Sequence, residues 1–287
     1  MPETKINTKK RLGILRGGAG DHHSSSVKKG GEILLHIHEH LSEKYKPVDI
    51  LVDRDHIWHL GGLPISPSEL MTKVDLVWNT AHSSFSNILD SLSVPNIGAG
   101  AFFSNIDASR EALRKHIAQI GLSMPRRIVS PKNARDVFEK FGAPWIVKNS
   151  NEIKLVKTFD ELVEAVNNVE NVTVEEFIAG KVASTHSVAK FRGEDVYVFP
   201  IGNHFTNLTS EDKQKITAHT KDLHKHLGAK HYLRADFVLT SKGKLYLLNI
   251  ESIPNLKTGS HFSQVCESVG AKMHELVEHM FERTLVL

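Results

Sequence analysis

The stretch His231–Glu251 reads HYLRADFVLTSKGKLYLLNIE, and its reading decides the fold. Both arms are rich in Tyr, Leu, Val and Phe, residues that fit a pleated, half-buried surface. Ser241-Lys242-Gly243-Lys244 between them is a tight-turn sequence. The pattern predicts two strands paired through that turn. Side chains two apart on a strand share a face, so Arg234 and Asp236 point one way, and Asn249 and Glu251 form a second such pair. Pairing then gathers two carboxylates, an amide and a guanidinium at one end of the hairpin. Charges in a strand that should be buried need partners or a ligand. Hard oxygen ligands beside an arginine suit magnesium and a phosphate chain. A structural Arg234–Asp236 ion pair is the plainer reading of the same residues.

Outward from the hairpin, 287 residues exceed one simple core and predict two or three units. A net charge of only +3, with no dense basic run interleaved with aromatics, argues against nucleic acid as partner. No apolar run reaches membrane-span length, and the first residues lack an apolar signal core. The single cysteine, Cys266, rules out an internal disulfide and fits a reducing cytoplasm; it is expected on the packed side of the last helix. Histidine is abundant at 18 residues. His36 and His40 have a zinc-compatible helical spacing, but no third ligand is identifiable, and a solvated helix face is expected there.

The chain opens with an apolar strand, Arg11–Leu15, a glycine turn at Gly17, Gly18 and Gly20, and a long helix to about Glu43. Strand, glycine turn and helix begin a doubly wound α/β unit, whose helix N-terminus offers N–H groups to an anion. The pattern supports units over 1–100, 101–179 and 180–287. In the second unit, Arg110 and Arg114 share a helix face, Lys148 ends an apolar strand, and Val172–Ile178 forms a strand carrying Glu175 and Glu176. A long helix over Glu211–Leu227, stopped by Gly228, precedes the hairpin in the third.

Assembled, these pieces resemble the ATP-grasp superfamily, and D-alanine–D-alanine ligases in particular, over nearly the whole chain. The resemblance rests on Arg234-Ala235-Asp236, Gly243, Leu247-Leu248-Asn249-Ile250-Glu251, Pro254 and Gly259-Ser260-His261, in the family's order. The family's Glu-x-Asn stands here as Asn249-x-Glu251. The resemblance implies an α/β chain, α+β in its C-terminal half, with an ATP-grasp fold behind a Rossmann-like N-terminal domain. It implies ATP and magnesium (or manganese) as cofactors and a ligase that forms carbon–nitrogen bonds through an acyl phosphate. Asp236, Asn249 and Glu251 would hold the metal. Arg234 and Ser260 would be catalytic. Arg114, Lys148, Glu175, Glu176, Phe177 and Ile178 would bind the nucleotide, and His22, Ser26, Gly259 and Ser260 the substrate. The partners expected are amino-acid-like small molecules in the cytoplasm, and a homodimer is compatible with the family.

The departures carry information. Lys148-Asn149-Ser150-Asn151-Glu152-Ile153 replaces the family's glycine-bearing phosphate loop, and Gly202–Asn207 the closing loop. His22 stands where the family places a glutamate for an ammonium group. An imidazole does not replace a carboxylate there, so a substrate pair other than two D-alanines is expected. Two functions stay open at this point: a ligase with altered substrates, or a catalytically weak relative acting as nucleotide sensor or partner-binding module.

Overall fold

The computed structural model describes residues 9–20, 22–107, 109–149, 152–167, 171–202 and 207–286. Three sheets follow one another along the chain.

The first is built from β1 (Lys10–Gly17), β2 (Tyr45–Val52), β3 (Trp58–Leu60), β4 (Leu63–Ile65), β5 (Leu76–Asn79) and β6 (Asn96–Ile97), in the order β4-β3-β2-β1-β5-β6. Its helices are α1 (His23–His36), α2 (Leu70–Lys73) and α3 (Ser84–Ser91). β1 runs parallel to β2 and β5, as the doubly wound reading expects. The first helix is shorter than expected: α1 ends at His36, and a π-helical turn over Ile37–Leu41 follows. Gly17 ends β1 at a φ of +94°, and a Cβ there would lie 2.2 Å from the Val52 carbonyl oxygen. Only glycine fits that turn.

The second sheet contains β7 (Arg127–Val129), β8 (Trp145–Lys148), β9 (Ile153–Val156) and β10 (Thr173–Glu176), ordered β7-β10-β8-β9 and antiparallel throughout. Two helices, α4 (Ala101–Asp107) and α5 (Arg110–Ala118), lead into it. The helices α6 (Ala134–Lys140) and α7 (Phe159–Asn167) cover one face, burying Val137, Leu162, Trp145, Val147 and Val174. Strand alternation therefore puts Lys148 and Glu175 on the other face.

The third sheet comprises β11 (Lys181–Ala189), β12 (Val196–Val198), β13 (Tyr232–Leu239) and β14 (Leu245–Glu251), in the order β12-β11-β13-β14. The hairpin read from sequence is the β13–β14 pair. Helix α8 (Ser210–His226) packs Ile216 and Leu223 into one cluster with Leu233, Ala235, Phe237 and Leu247. That assignment leaves Tyr232, Arg234 and Asp236 on the opposite face. Helices α9 (His261–Ser268) and α10 (Met273–Leu285) complete the chain. α10 folds back on the first sheet, where Phe281 meets the rings of Trp78 and Tyr45, each 5.5 Å away between centroids.

Two core histidines make the fold acid-sensitive. His224 shares a hydrogen bond of 2.8 Å with Ser187, and burial pushes its pKa down to about 4. His231 is also pushed down to about 4, by burial first and then by the positive Lys230 and Arg283. Both are neutral when folded and titrate near 6.5 when unfolded. Their contribution is complete above pH 6.5 and is lost as pH falls from there to 4, because the unfolded chain takes up protons first. The loss is about 2 kcal/mol for each by pH 5. The thermal unfolding midpoint is thus expected to fall between pH 6.5 and 5, before the carboxylates titrate; a flat midpoint over that range would contradict the assignment.

Candidate active site

The polar face of the third sheet is organised in rows by strand register. Arg234 stands opposite Glu251 on one side and His186 on the other. Asp236 stands opposite Asn249 and Ser184. The Arg234 guanidinium bridges the two carboxylates: Nε donates to Asp236 Oδ1 at 3.1 Å, and Nη1 to Glu251 Oε1 at 3.3 Å. Ser184 Oγ donates to Asp236 Oδ1 as well. From α1, Lys29 Nζ donates to Glu251 Oε2 at 3.3 Å. Glu251 is therefore held between two cations, one from β13 and one from α1. The hairpin register shifts after Asp236, and Leu248 is the extra residue of the bulge.

Across the cleft, Glu175 is buried to 8% exposure, and two cations compensate it. Lys148 Nζ donates to Glu175 Oε2 at 2.6 Å, and Arg110 Nη2 lies 4.0 Å from Oε1. Arg110 Nη2 also donates to the bulged Leu248 carbonyl at 2.7 Å, so one α5 side chain touches both the second and third sheets. Arg114 does not join them: it donates to the Met124 and Pro125 carbonyls at 2.8 and 2.6 Å, bracing the approach to β7. Arg110, one turn earlier on the same helix face, occupies the place expected for Arg114. Glu176 forms a two-pronged pair with Arg126, which holds its carboxyl below the usual carboxylate range. Phe177 follows with a partly exposed ring, and Ile178 is half-buried beside it.

A cavity of about 470 Å³ opens between the first and third sheets. His22, Ser25, Ser26, Lys29, Thr80 and His82 line one side, with Asn249, Glu251 and Ser252 on the other. His22, the N-cap residue of α1, lines this cavity. Ser26 is more structural than expected: its hydroxyl accepts from the Gly17 amide at 2.8 Å and fixes the turn after β1. The Ser260 hydroxyl is likewise committed to the fold. It caps α9 by accepting from Ser263 N at 3.1 Å and donates to the Asn255 carbonyl at 3.0 Å. Gly259, at a φ of +78°, donates its amide to Ser263 Oγ. Both, expected to meet substrate, take part in the cap of α9.

Asp236, Asn249 and Glu251 form a hard oxygen set of the kind magnesium takes. Among the described residues no cluster of three His, Cys, Asp or Glu could hold a metal, so the set reaches three only through the Asn249 amide. His36 meets the Leu256 carbonyl at 3.2 Å, and the His40 ring lies tilted against His274 at 4.5 Å between centroids. Burial pushes the Cys266 thiol up to about 12, which removes it as a nucleophile. After Lys148, Asn149 is joined to Glu152 by hydrogen bonds of 2.8 and 3.0 Å. Ser150, Asn151 and the Asn203–Thr206 segment of the expected closing loop lie outside the described residues.

Comparison with known proteins bears on this geometry. Residues 189–282 match the family described as the D-ala D-ala ligase C-terminus. A D-alanine–D-alanine ligase of Geobacter sulfurreducens is 24% identical over 315 residues, spanning 98% of this chain and 95% of the relative. The crystal structure of D-alanyl-alanine synthetase A from Vibrio cholerae superposes with a TM-score of 0.75 at 17% identity, covering 97% of this chain and 99% of that one. The D-alanine–D-alanine ligase from Bacillus anthracis, solved in complex with ATP, gives 0.73 at 21% identity, covering 96% and 97%. The chain has the ATP-grasp fold, which it shares with these two structures. Its sequence is similar to D-alanine–D-alanine ligases along nearly its whole length. No helix among the described residues is long and apolar enough to cross a membrane.

Proposed function

We propose that the protein is a cytoplasmic ATP-dependent carboxylate–amine ligase that joins amino-acid-like small molecules through an acyl phosphate. The observation that carries this reading is the Arg234 guanidinium standing between Asp236 and Glu251, with Asn249 in the adjoining row. Lys148 and Arg110 bind the phosphate chain of ATP, exchanging their Glu175 contacts for phosphate oxygens. The segment Glu176–Ile178 receives the adenine. Asp236, Asn249 and Glu251 hold magnesium, which neutralises phosphate charge when bound. Arg234 stabilises the charge that develops as the carboxylate attacks the terminal phosphorus. The amine then attacks the acyl carbon, and inorganic phosphate leaves. His22 and Lys29 furnish the substrate cavity with groups that suit an anion or hydroxyl better than an ammonium, so the acid is one other than D-alanine.

The sequence Lys148–Ile153, standing where the family has a glycine-bearing phosphate loop, favours a second reading, a nucleotide sensor that binds ATP without turnover. ADP release from magnesium-ATP against pools of amino acids and small hydroxy acids separates the two: substrate-dependent ADP supports the ligase, and ATP binding without ADP supports the sensor.

A further inference from the structure

A second cavity, also of about 470 Å³, lies between α5, β7 and the end of α6, and the reaction above gives it no role. Cations dominate its wall: Arg110 and Arg114 from α5, Arg126 and Arg127 at the start of β7, and Lys140 from α6, against the single carboxylate of Glu111. Glu111 meets Arg114 at 3.7 Å, and Glu176 holds Arg126. Arg110 shares Glu175 with Lys148. Arg127 and Lys140 are exposed, and neither side chain has a hydrogen bond or ion pair among the described residues. Six cations thus stand against three carboxylates, an excess of +3 at one wall, as large as the net charge of the whole chain.

Like charges drawn together from three elements repel one another, and a concave wall focuses their field on whatever enters. An anion relieves that repulsion. Guanidinium groups are planar forks that meet phosphate or carboxylate oxygens two at a time. A phosphate group concentrates about −1.5 to −2 charges on one small centre, which matches the excess in this space. The volume falls in the range of about 300–1,000 Å³ typical of small-molecule sites, and Val129 and Phe141 add an apolar floor for the rest of such a molecule. Arg110 is also the partition between this cavity and the nucleotide cleft. Its Nη2 donates to the Leu248 carbonyl at 2.7 Å and lies 4.0 Å from Glu175. Arg126 holds the Glu176 carboxylate, which opens the segment assigned to adenine. An anion in the cavity and a triphosphate in the cleft therefore compete for one guanidinium from opposite sides.

We propose that this cavity binds a small molecule bearing a phosphate or pyrophosphate group, and that its occupation weakens ATP binding through Arg110 and Arg126. The site itself stands apart from the ligase reading; the coupling rests on the nucleotide placement in that reading. Arg127 and Lys140 give the site its affinity without taking part in the nucleotide cleft.

The test uses the full-length protein and inorganic pyrophosphate as the probe, at a fixed free magnesium concentration. Calorimetric titration is expected to show saturable binding that weakens about 10- to 100-fold in the Arg127→Gln, Lys140→Gln double variant, the range for losing hydrogen bonds to a charged group. Both side chains are exposed, so the fold should survive and the affinity for ATP alone should stay within about twofold. In the wild type, rising pyrophosphate should raise the apparent Kd for ATP about five- to tenfold and then level off, as coupling between two sites does. In the double variant that rise should be lost. No pyrophosphate binding, or binding unchanged in the double variant, overturns the site. A Kd for ATP that climbs in proportion to pyrophosphate without a plateau, equally in both proteins, places the probe in the cleft and also overturns it. Unchanged ATP affinity with pyrophosphate bound overturns the coupling. If ATP itself does not bind, the nucleotide placement fails, and the loss of pyrophosphate binding in the double variant still decides the site.

Discussion

Magnesium-dependent ATP binding is expected to weaken at least about 100-fold when Asp236 and Glu251 are both replaced by alanine. Loss of residues that merely orient metal ligands costs 10- to 100-fold, and direct oxygen ligands should cost more. The substitution leaves only Asn249 of the expected set. It also strips Arg234 and Lys29 of their carboxylate partners, so two like charges remain where a cation must enter. The fold should survive, because the β13 residues that pack against α8 are Leu233, Ala235 and Phe237. Calorimetric titration of the double variant with ATP, with and without magnesium, reads the effect. An unchanged magnesium-dependent affinity in a folded double variant would show that these residues are a structural ion-pair cluster.

Arg234→Ala is expected to lower kcat for ADP formation by about 10³-fold, the scale for an arginine that stabilises phosphoryl-transfer charge. Its signature differs from that of the carboxylates. Removing Arg234 takes a competing cation away from Asp236 and Glu251, so magnesium-ATP affinity should change by less than about threefold. Arg234→Lys should restore little, since one ammonium cannot reproduce a planar fork reaching Asp236 and Glu251 together. Steady-state kinetics and equilibrium binding on the same variant separate the two effects. A kcat within tenfold of wild type would remove Arg234 from the chemistry.

The polar face of the third sheet was legible because a strand has a period of two. Arg234 with Asp236, and Asn249 with Glu251, interrupt apolar strands at alternate positions, and pairing through the Gly243 turn has only a few registers to choose from. Residues supplied from far away were not legible. Lys29 reaches Glu251 across 222 positions, and His186 and Ser184 face Arg234 and Asp236 only through the β11–β13 register. No local pattern encodes that register.

Arg110 and Arg114 illustrate a different limit. They share a helix face, and only the seating of α5 between two sheets tells which reaches the cleft. Ser260 did carry a local signal, since serine directly before a helix is a preferred N-cap, and that competing role took the hydroxyl. The β3–β4 hairpin also went unread, although Gly61 and Gly62, both at positive φ, form a two-residue hairpin turn. Pro64 masks β4, and it is tolerated because β4 is an edge strand.

The central claim is that this site makes an acyl phosphate from ATP and passes it to an amine. The most direct measurement is ADP release from magnesium-ATP by the purified full-length protein, against separate pools of D-amino acids, L-amino acids and small hydroxy acids. The account predicts ADP that rises with a particular pool, needs magnesium, and is abolished in the Asp236→Ala, Glu251→Ala double variant. ATP binding with no ADP above background from any pool would contradict it.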